Sequence, residues 1–96
     1  MGDRLGKRLR ELRSATGRGI KQIAPEIGLS YSYLSKLENG HVEPSEETIR
    51  RLAEYFNVDP EILGILAGKL PNNVVEILKN DPEAAVRLLR ERFSGD

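Results

Sequence analysis

Cysteine and tryptophan are absent from this 96-residue chain, and histidine and methionine each occur once. Without cysteine the chain has neither a disulfide framework nor a thiolate zinc site, and one histidine is too few for a metal centre. No apolar run approaches the roughly 20 residues that cross a bilayer, and the charged N-terminal residues do not form a secretory signal. These absences predict a cytoplasmic protein that binds no metal and no cofactor.

Residue patterns typical of catalysis are also missing. The sequence has no cysteine nucleophile, no second histidine, and no glycine-rich phosphate loop followed by Lys-Ser or Lys-Thr. Its acidic residues fall at expected helix starts and on solvent-facing positions, where they form no constellation for nucleophilic or metal chemistry. We therefore predict that the protein is not an enzyme.

Charge is balanced overall but unevenly distributed along the chain. The 15 basic and 15 acidic residues give a net charge of zero. Eight basic and four acidic residues lie in positions 1–42, whereas seven basic and eleven acidic residues follow. Such an asymmetry indicates that one half meets a polyanion and the other does not. A solvated surface with a chance imbalance explains the same counts, so charge alone does not decide.

The hydrophobic pattern is helical throughout and predicts an all-α fold. Leu5, Leu9 and Leu12 recur at helical spacing and predict a first helix over residues 3–16. Further apolar stripes, preceded by capping residues or glycine breaks, predict helices over about 20–27, 31–38, 46–56, 60–67, 74–78 and 82–93. Residues 1–68 are expected to form one domain, and residues 69–96 a C-terminal helical extension within the same compact unit.

The stretch GLSYSYLSKLENG, residues 28–40, differs from an ordinary core helix. On a helical wheel Leu34 and Leu37 form one narrow apolar stripe, about 60° wide. Side chains with hydrogen-bonding groups occupy a contiguous arc on the other side: Tyr31, Ser32, Ser35 and Lys36. Two short helices joined by Gly28-Leu29-Ser30 are typical of a helix-turn-helix, whose second helix can lie in a DNA major groove about 12 Å wide.

The segment IAPEIGLSYSYLSKLENGHVEPSEETIRRLAEYFNV resembles the phage-repressor and Cro-like helix-turn-helix family, also called the xenobiotic-response-element type. The resemblance extends from Leu5 to Leu66, and its most specific part is the YLSKLENG block. It implies a five-helix domain that binds double-stranded DNA as a transcriptional repressor, with residues 31–38 in the major groove. The tail AGKLPNNVVEILKNDPEAAVRLLR is similar to two-helix extensions in a subset of such regulators.

The resemblance also implies roles for individual residues. Base-reading positions of the family match Tyr31, Ser32 and Lys36. A serine hydroxyl can donate or accept a hydrogen bond, and a lysine can donate to guanine O6 or N7. Candidate contacts to the DNA backbone are Ser30, Tyr33, Ser35, Asn39, Gly40, His41, Lys21, Gln22 and Arg10. For Tyr33 a place at the edge of the core fits equally well, and for Arg10 and Lys21 a solvated surface does.

Arg13 and Glu38 match family positions that pair and so link the first helix to the end of the third. On a surface such a pair contributes only about 0–1 kcal/mol, so we expect it to act by positioning. The sequence departs from the family at Ile20, where a glutamine commonly meets phosphate, and at Arg18, where an apolar residue is usual. Glu43 replaces a commonly basic residue.

A two-fold dimer on a palindromic operator would place two recognition helices about 34 Å apart. Apolar side chains in excess of one helix face predict the dimer surface, in the fifth helix or the tail: Ile62, Ile65, Leu66 and Val75. The alternative is a seven-helix monomer in which the tail packs over the fourth and fifth helices and buries the same side chains. The alternative function is an antitoxin-like or regulatory module whose acidic C-terminal half binds a protein partner.

Overall fold

Seven α-helices occur in residues 3–94, the part of the chain that the computed structural model describes, with side chains from residue 4 onward. They are α1 (Asp3–Thr16), α2 (Ile20–Ile27), α3 (Tyr31–Glu38), α4 (Glu46–Phe56), α5 (Pro60–Leu66), α6 (Asn72–Asn80) and α7 (Pro82–Phe93). This range contains no β-strand, so the predicted all-α fold is confirmed.

Side-chain caps determine where four of these helices begin. An oxygen of each capping side chain accepts a hydrogen bond from a backbone amide of the first turn, and the caps are Ser30, Ser45, Asp59 and Asp81. Pro60 and Pro82 occupy the first helical position, where a missing N–H leaves no helical hydrogen bond unmade. The predicted starts of α3, α4, α5 and α7 are therefore confirmed.

The corner between α2 and α3 depends on Gly28, which has a φ of +88°. A side chain at this φ would be strained, so glycine is the residue that ends α2 and turns the chain. Leu29 then packs against the core and closes the corner. The turn gives the two short helices the helix-turn-helix arrangement that the sequence predicts.

The core lies among α1 to α5. Its buried hydrophobic side chains are Leu5, Leu9, Ile23, Ala24, Ile27, Leu34, Leu37, Ile49, Leu52, Ala53 and Leu63. Every helix from α1 to α5 contributes at least one of them, so the five helices share one hydrophobic core. Burial of each large aliphatic side chain stabilises the fold by roughly 1.5–3 kcal/mol before conformational entropy is counted.

Gly6 allows α1 to cross closely over the C-terminal end of α3. A Cβ atom at this position would lie 2.8 Å from the Leu37 carbonyl oxygen and closer still to that of Glu38. Only a residue without a side chain permits this approach of two backbones. The contact sets the position of α3 relative to the rest of the domain.

The C-terminal helices α6 and α7 pack mainly against each other, and neither contains a buried residue. Their exposed large hydrophobic side chains are Ile77, Val86, Leu88, Leu89 and Phe93. The helices α6 and α7 therefore do not bury their apolar faces against α4 and α5, as the monomer alternative supposed. Among residues 3–94, no helix combines the length and the hydropathy that a membrane crossing requires.

Candidate nucleic-acid interface

The outward face of α3 carries the three side chains predicted to read bases. Leu34 and Leu37 are each 1% exposed and hold the helix to the core. Tyr31 is 53% exposed, and Ser32 and Lys36 are exposed as well. This face therefore offers hydroxyl and ammonium groups to a partner. Ser32 and Ser35, two of its four side chains, are short and permit close approach.

Tyr33 lies at one margin of this face, and Ser35 lies within it, between Tyr31 and Ser32 on the helical wheel. Tyr33 is partly buried and packs against the hydrophobic core, while its backbone amide donates to the Ser30 hydroxyl over 3.0 Å. The sequence allowed Tyr33 either a contact to the DNA backbone or a place at the edge of the core, and its ring lies at the edge of the core. Ser35 is half-buried, and its carbonyl accepts a hydrogen bond from Asn39.

The turn that follows α3 is held by hydrogen bonds within the protein. The Asn39 side chain donates to the Ser35 carbonyl over 2.8 Å and accepts from the Arg10 guanidinium over 3.0 Å. The His41 amide donates to the Lys36 carbonyl, and Gly40 has a φ of +72°. Asn39 therefore positions Arg10 beside the end of α3, and the imidazole of His41 is exposed.

Arg13 and Glu38 form the predicted pair between α1 and α3. The Arg13 Nε and Nη2 atoms donate to the two Glu38 carboxylate oxygens over 2.6 and 3.0 Å, and the Arg10 Nε lies 3.6 Å from the same carboxylate. The hydrogen bonds to Glu38 raise the pKa of Arg13 above its ordinary value. The Glu38 side chain is only 2% exposed and that of Arg13 is 20% exposed, so the predicted pair is largely buried and is not a surface pair.

The start of α2 presents Lys21 and Gln22, which are both exposed. The Gln22 side-chain oxygen accepts a hydrogen bond from the Gly19 amide over 2.9 Å and caps the helix. Its amide nitrogen still has hydrogens to donate. Both side chains thus lie beside the position of Ile20, where the family commonly has its phosphate-binding glutamine.

Arg18, Glu26 and Tyr55 form a hydrogen-bonded cluster that links the α1–α2 loop, α2 and α4. The Arg18 guanidinium donates to both Glu26 carboxylate oxygens over 2.8 and 2.6 Å, and the Tyr55 hydroxyl donates to one of them over 2.6 Å. The hydrogen bonds from Arg18, and then from Tyr55, lower the pKa of Glu26 to about 2. The cluster thus depends on Arg18, at a position where the family usually has an apolar residue.

Two features of the interface were not predicted from the sequence. The close approach of α1 and α3 at Gly6 could not be predicted, because a glycine inside a helix does not indicate which element packs against it. The Arg18–Glu26–Tyr55 cluster joins residues 37 positions apart, and only the unusual arginine at position 18 hinted at a polar partner.

Comparisons with known proteins agree with this geometry. A family model described as a helix-turn-helix domain matches residues 4–63. The HTH-type transcriptional regulator DdrOP3 of Deinococcus deserti is 36% identical over 93 residues, which cover 88% of this chain and 71% of that protein. The ImmF control region 10 kDa protein of Bacillus phage phi105 is 34% identical over 62 residues, 65% of this chain and 69% of that protein.

The similarity to a third relative reaches into the C-terminal helices. The HTH-type transcriptional regulator ImmR of Bacillus subtilis is 26% identical over 87 residues, which cover 91% of this chain and 68% of that protein. No solved structure matches the chain.

Proposed function

Because the chain belongs to the phage-repressor and Cro-like helix-turn-helix family of DNA-binding transcription regulators, we propose that it represses transcription by binding a palindromic operator as a homodimer. The observation that carries the proposal is the outward face of α3, on which Tyr31, Ser32 and Lys36 are exposed. Repression requires only that the bound protein occupy promoter DNA, which a small domain can do.

In this proposal α3 lies in the major groove. Ser32, in the first turn, donates to or accepts from a base edge, and Lys36, one turn later, donates to guanine O6 or N7. The ring of Tyr31 contacts a thymine methyl group. Because Ser32 and Lys36 are four residues apart, they lie on one side of the helix and read neighbouring base pairs.

Contacts to the DNA backbone position the helix without reading sequence. Lys21 and Gln22 at the start of α2 take one phosphate, and Ser30 with the first amides of α3 takes another. At the other end of α3, the DNA strand passes close to Ser35, the Gly40 amide and His41. Tyr33 contributes through its exposed edge, and Asn39 acts through Arg10, whose guanidinium it holds.

Dimerisation uses the exposed apolar side chains of the tail. Val86, Leu89 and Phe93 recur at i, i+3 and i+7 and are 45%, 44% and 75% exposed, so they form one apolar stripe along α7. An antiparallel pairing of two α7 helices centred near Leu89 brings Val86 of each copy near Phe93 of the other, which makes the surface complementary to itself.

The apolar side chains predicted as dimer contacts differ in exposure. Ile62 and Ile65 are 59% and 51% exposed on α5, which leaves them available to a second copy of the chain. Leu66 packs against the core, and Val75 is half-buried in the tail, so these two contribute less.

The alternative function, a module that binds a protein partner, is favoured by one surface of the acidic half. A groove of about 220 Å³ between α4, α5 and the segment after them is lined by the apolar residues Ile49, Pro60, Leu70 and Pro71 and by two acidic and two basic residues, Glu46, Glu61, Arg50 and Lys69. Such a groove suits a peptide with apolar side chains. Both functions can coexist in one regulator.

Selection of duplexes from a random-sequence pool tests the proposed function. We expect the recovered duplexes to share an inverted repeat with half-sites one helical turn apart, and to bind at least roughly 1,000-fold more tightly than scrambled duplexes. Affinity should fall steeply with salt, because phosphate contacts release counterions. Weak binding without sequence preference would contradict the proposal and leave the protein-partner module.

A further inference from the structure

A row of basic side chains follows one face of α1. Arg4, Lys7 and Arg10 recur every third residue, lie on one side of the helix and are exposed. With Ser14 they line a surface groove that ends at Asn39, in the turn after α3. The row spans six helical rises, or about 9 Å. It crosses the C-terminal end of the recognition helix, because Gly6, which lies between Arg4 and Lys7, packs on the carbonyls of Leu37 and Glu38.

We propose that Arg4, Lys7 and Arg10 form a second phosphate-binding surface, which follows the DNA backbone beyond the part of the duplex that α3 reads. This inference rests on the proposed function, because it needs α3 in the major groove. One strand of B-DNA has a phosphate every 3.4 Å along the axis, so the row matches the length of two or three successive phosphates.

The geometry that orients the row is the anchorage of Arg10. The Arg10 guanidinium donates to the Asn39 side chain over 3.0 Å and lies 3.6 Å from the Glu38 carboxylate. These contacts hold one end of the row at the last residues of α3. A duplex that contacts α3 through Lys36 therefore passes close to Arg10, and Lys7 and Arg4 continue the positive surface.

The charge of the rest of the interface explains why such a surface is needed. The loop between α3 and α4 contains His41 and Glu43 and no lysine or arginine. Besides the row, the cations near α3 include Lys36 itself, Lys21 at the start of α2, Arg13, which is paired with Glu38, and Arg51, which donates to the Gly28 carbonyl. The row on α1 supplies the positive charge that the α3–α4 loop lacks.

Acidic groups near the row are already engaged with other arginines. Glu11 lines the same groove and accepts a hydrogen bond from Arg8 over 3.5 Å. Glu38 is held by Arg13 through two hydrogen bonds. The groove therefore keeps a positive balance.

The salt dependence of DNA binding tests the row. The probes are a duplex recovered by selection and a scrambled duplex of equal length. For Arg4→Ala with Lys7→Ala, the slope of log affinity against log salt should become shallower on both probes, by about 1 for each cation removed in each bound chain. The preference for the selected duplex should stay unchanged, and Arg4→Lys with Lys7→Arg should restore the slope.

The control removes two positive charges from the tail, with Lys79→Ala and Arg87→Ala. It changes the net charge equally and should leave the slope as in the wild type. Equal slopes for the wild type and the α1 variant, or equal losses in both double variants, would overturn the inference. A wild-type protein without preference for the selected duplex would instead contradict the proposed function. Circular dichroism verifies that each variant is folded.

Discussion

At the scale of single residues, Gly6 shows how one missing side chain sets the position of the recognition helix. In Gly6→Ala the new methyl group would collide with the backbone at the end of α3, which cannot move independently of the core. We expect a loss of about 1–3 kcal/mol in the free energy of unfolding, measured by urea denaturation.

Gly64→Ala is the matched control for this substitution. A Cβ at Gly64 meets only the Lys69 carbonyl oxygen, at an ordinary contact distance of 3.8 Å. Because alanine favours a helix over glycine, this variant should gain about 0.5–1 kcal/mol. Equal stability changes in the two variants would contradict the close approach of α1 and α3.

The buried Arg13–Glu38 pair gives a second prediction at this scale. Arg13→Met leaves the Glu38 carboxylate buried with only Arg10 nearby, so we expect unfolding to become about 2–3 kcal/mol more favourable. Arg8→Met removes an exposed pair with Glu11 and should change stability by less than about 0.5 kcal/mol. Chemical denaturation of both variants distinguishes the buried pair from the exposed one; similar small effects would show that Glu38 does not depend on Arg13.

At the scale of helices, the Arg18–Glu26–Tyr55 cluster makes the attachment of α2 to α4 sensitive to acid. The folded-state pKa of Glu26, about 2, lies below its ordinary value of 4.5, so the cluster stabilises the fold fully above pH 4.5. This contribution is lost as the pH falls from 4.5 toward 2. Across this pH range the melting temperature of the wild type should fall more than that of the Glu26→Gln variant.

Tyr55→Phe provides a graded version of the same test. It removes one of the three hydrogen bonds that lower the pKa of Glu26, so the acid-induced loss should still begin near pH 4.5 but should be smaller and end at a higher pH than in the wild type. Thermal unfolding curves that run parallel for all three proteins from pH 7 to pH 2 would contradict the assignment.

The sequence predicted most of what depends on local chemistry. Helix boundaries could be predicted from the caps Ser30, Ser45 and Asp59 and from Gly28, which has a left-handed conformation, because the effects of these residues act within a few positions. The orientation of α3 followed from Leu34 and Leu37 alone. The burial of Glu38 and the engagement of Asn39 with Arg10 could not be predicted, because they depend on how α1 crosses α3.

At the scale of the whole molecule, the helices α6 and α7 leave an apolar stripe that the domain does not cover. The C-terminal sequence pattern was compatible with both a covered tail and an exposed one, since periodicity shows that a helix has an apolar face but not what packs on it. The exposure of Val86, Leu89 and Phe93 leaves this stripe available to the second copy of the chain in the proposed dimer.

Charge substitution on α7 tests this dimer. Leu89→Glu places a carboxylate in the stripe and should convert the dimer to a monomer in sedimentation velocity experiments. Leu88→Glu is the matched control, because Leu88 is 59% exposed but lies about 100° around the helix from Leu89. Dissociation by both substitutions, or by neither, would contradict the proposed contact through α7.

The most direct test of the central claim is the sequence preference of a variant with Ser32→Ala and Lys36→Ala. Its affinity for a selected duplex is measured against a scrambled one, beside Lys21→Ala, which should weaken both equally. We expect the preference of the double variant to fall by about 30-fold or more, while helix content and melting temperature stay at wild-type values. An unchanged preference in a folded double variant would contradict the assignment of this face of α3 to base reading.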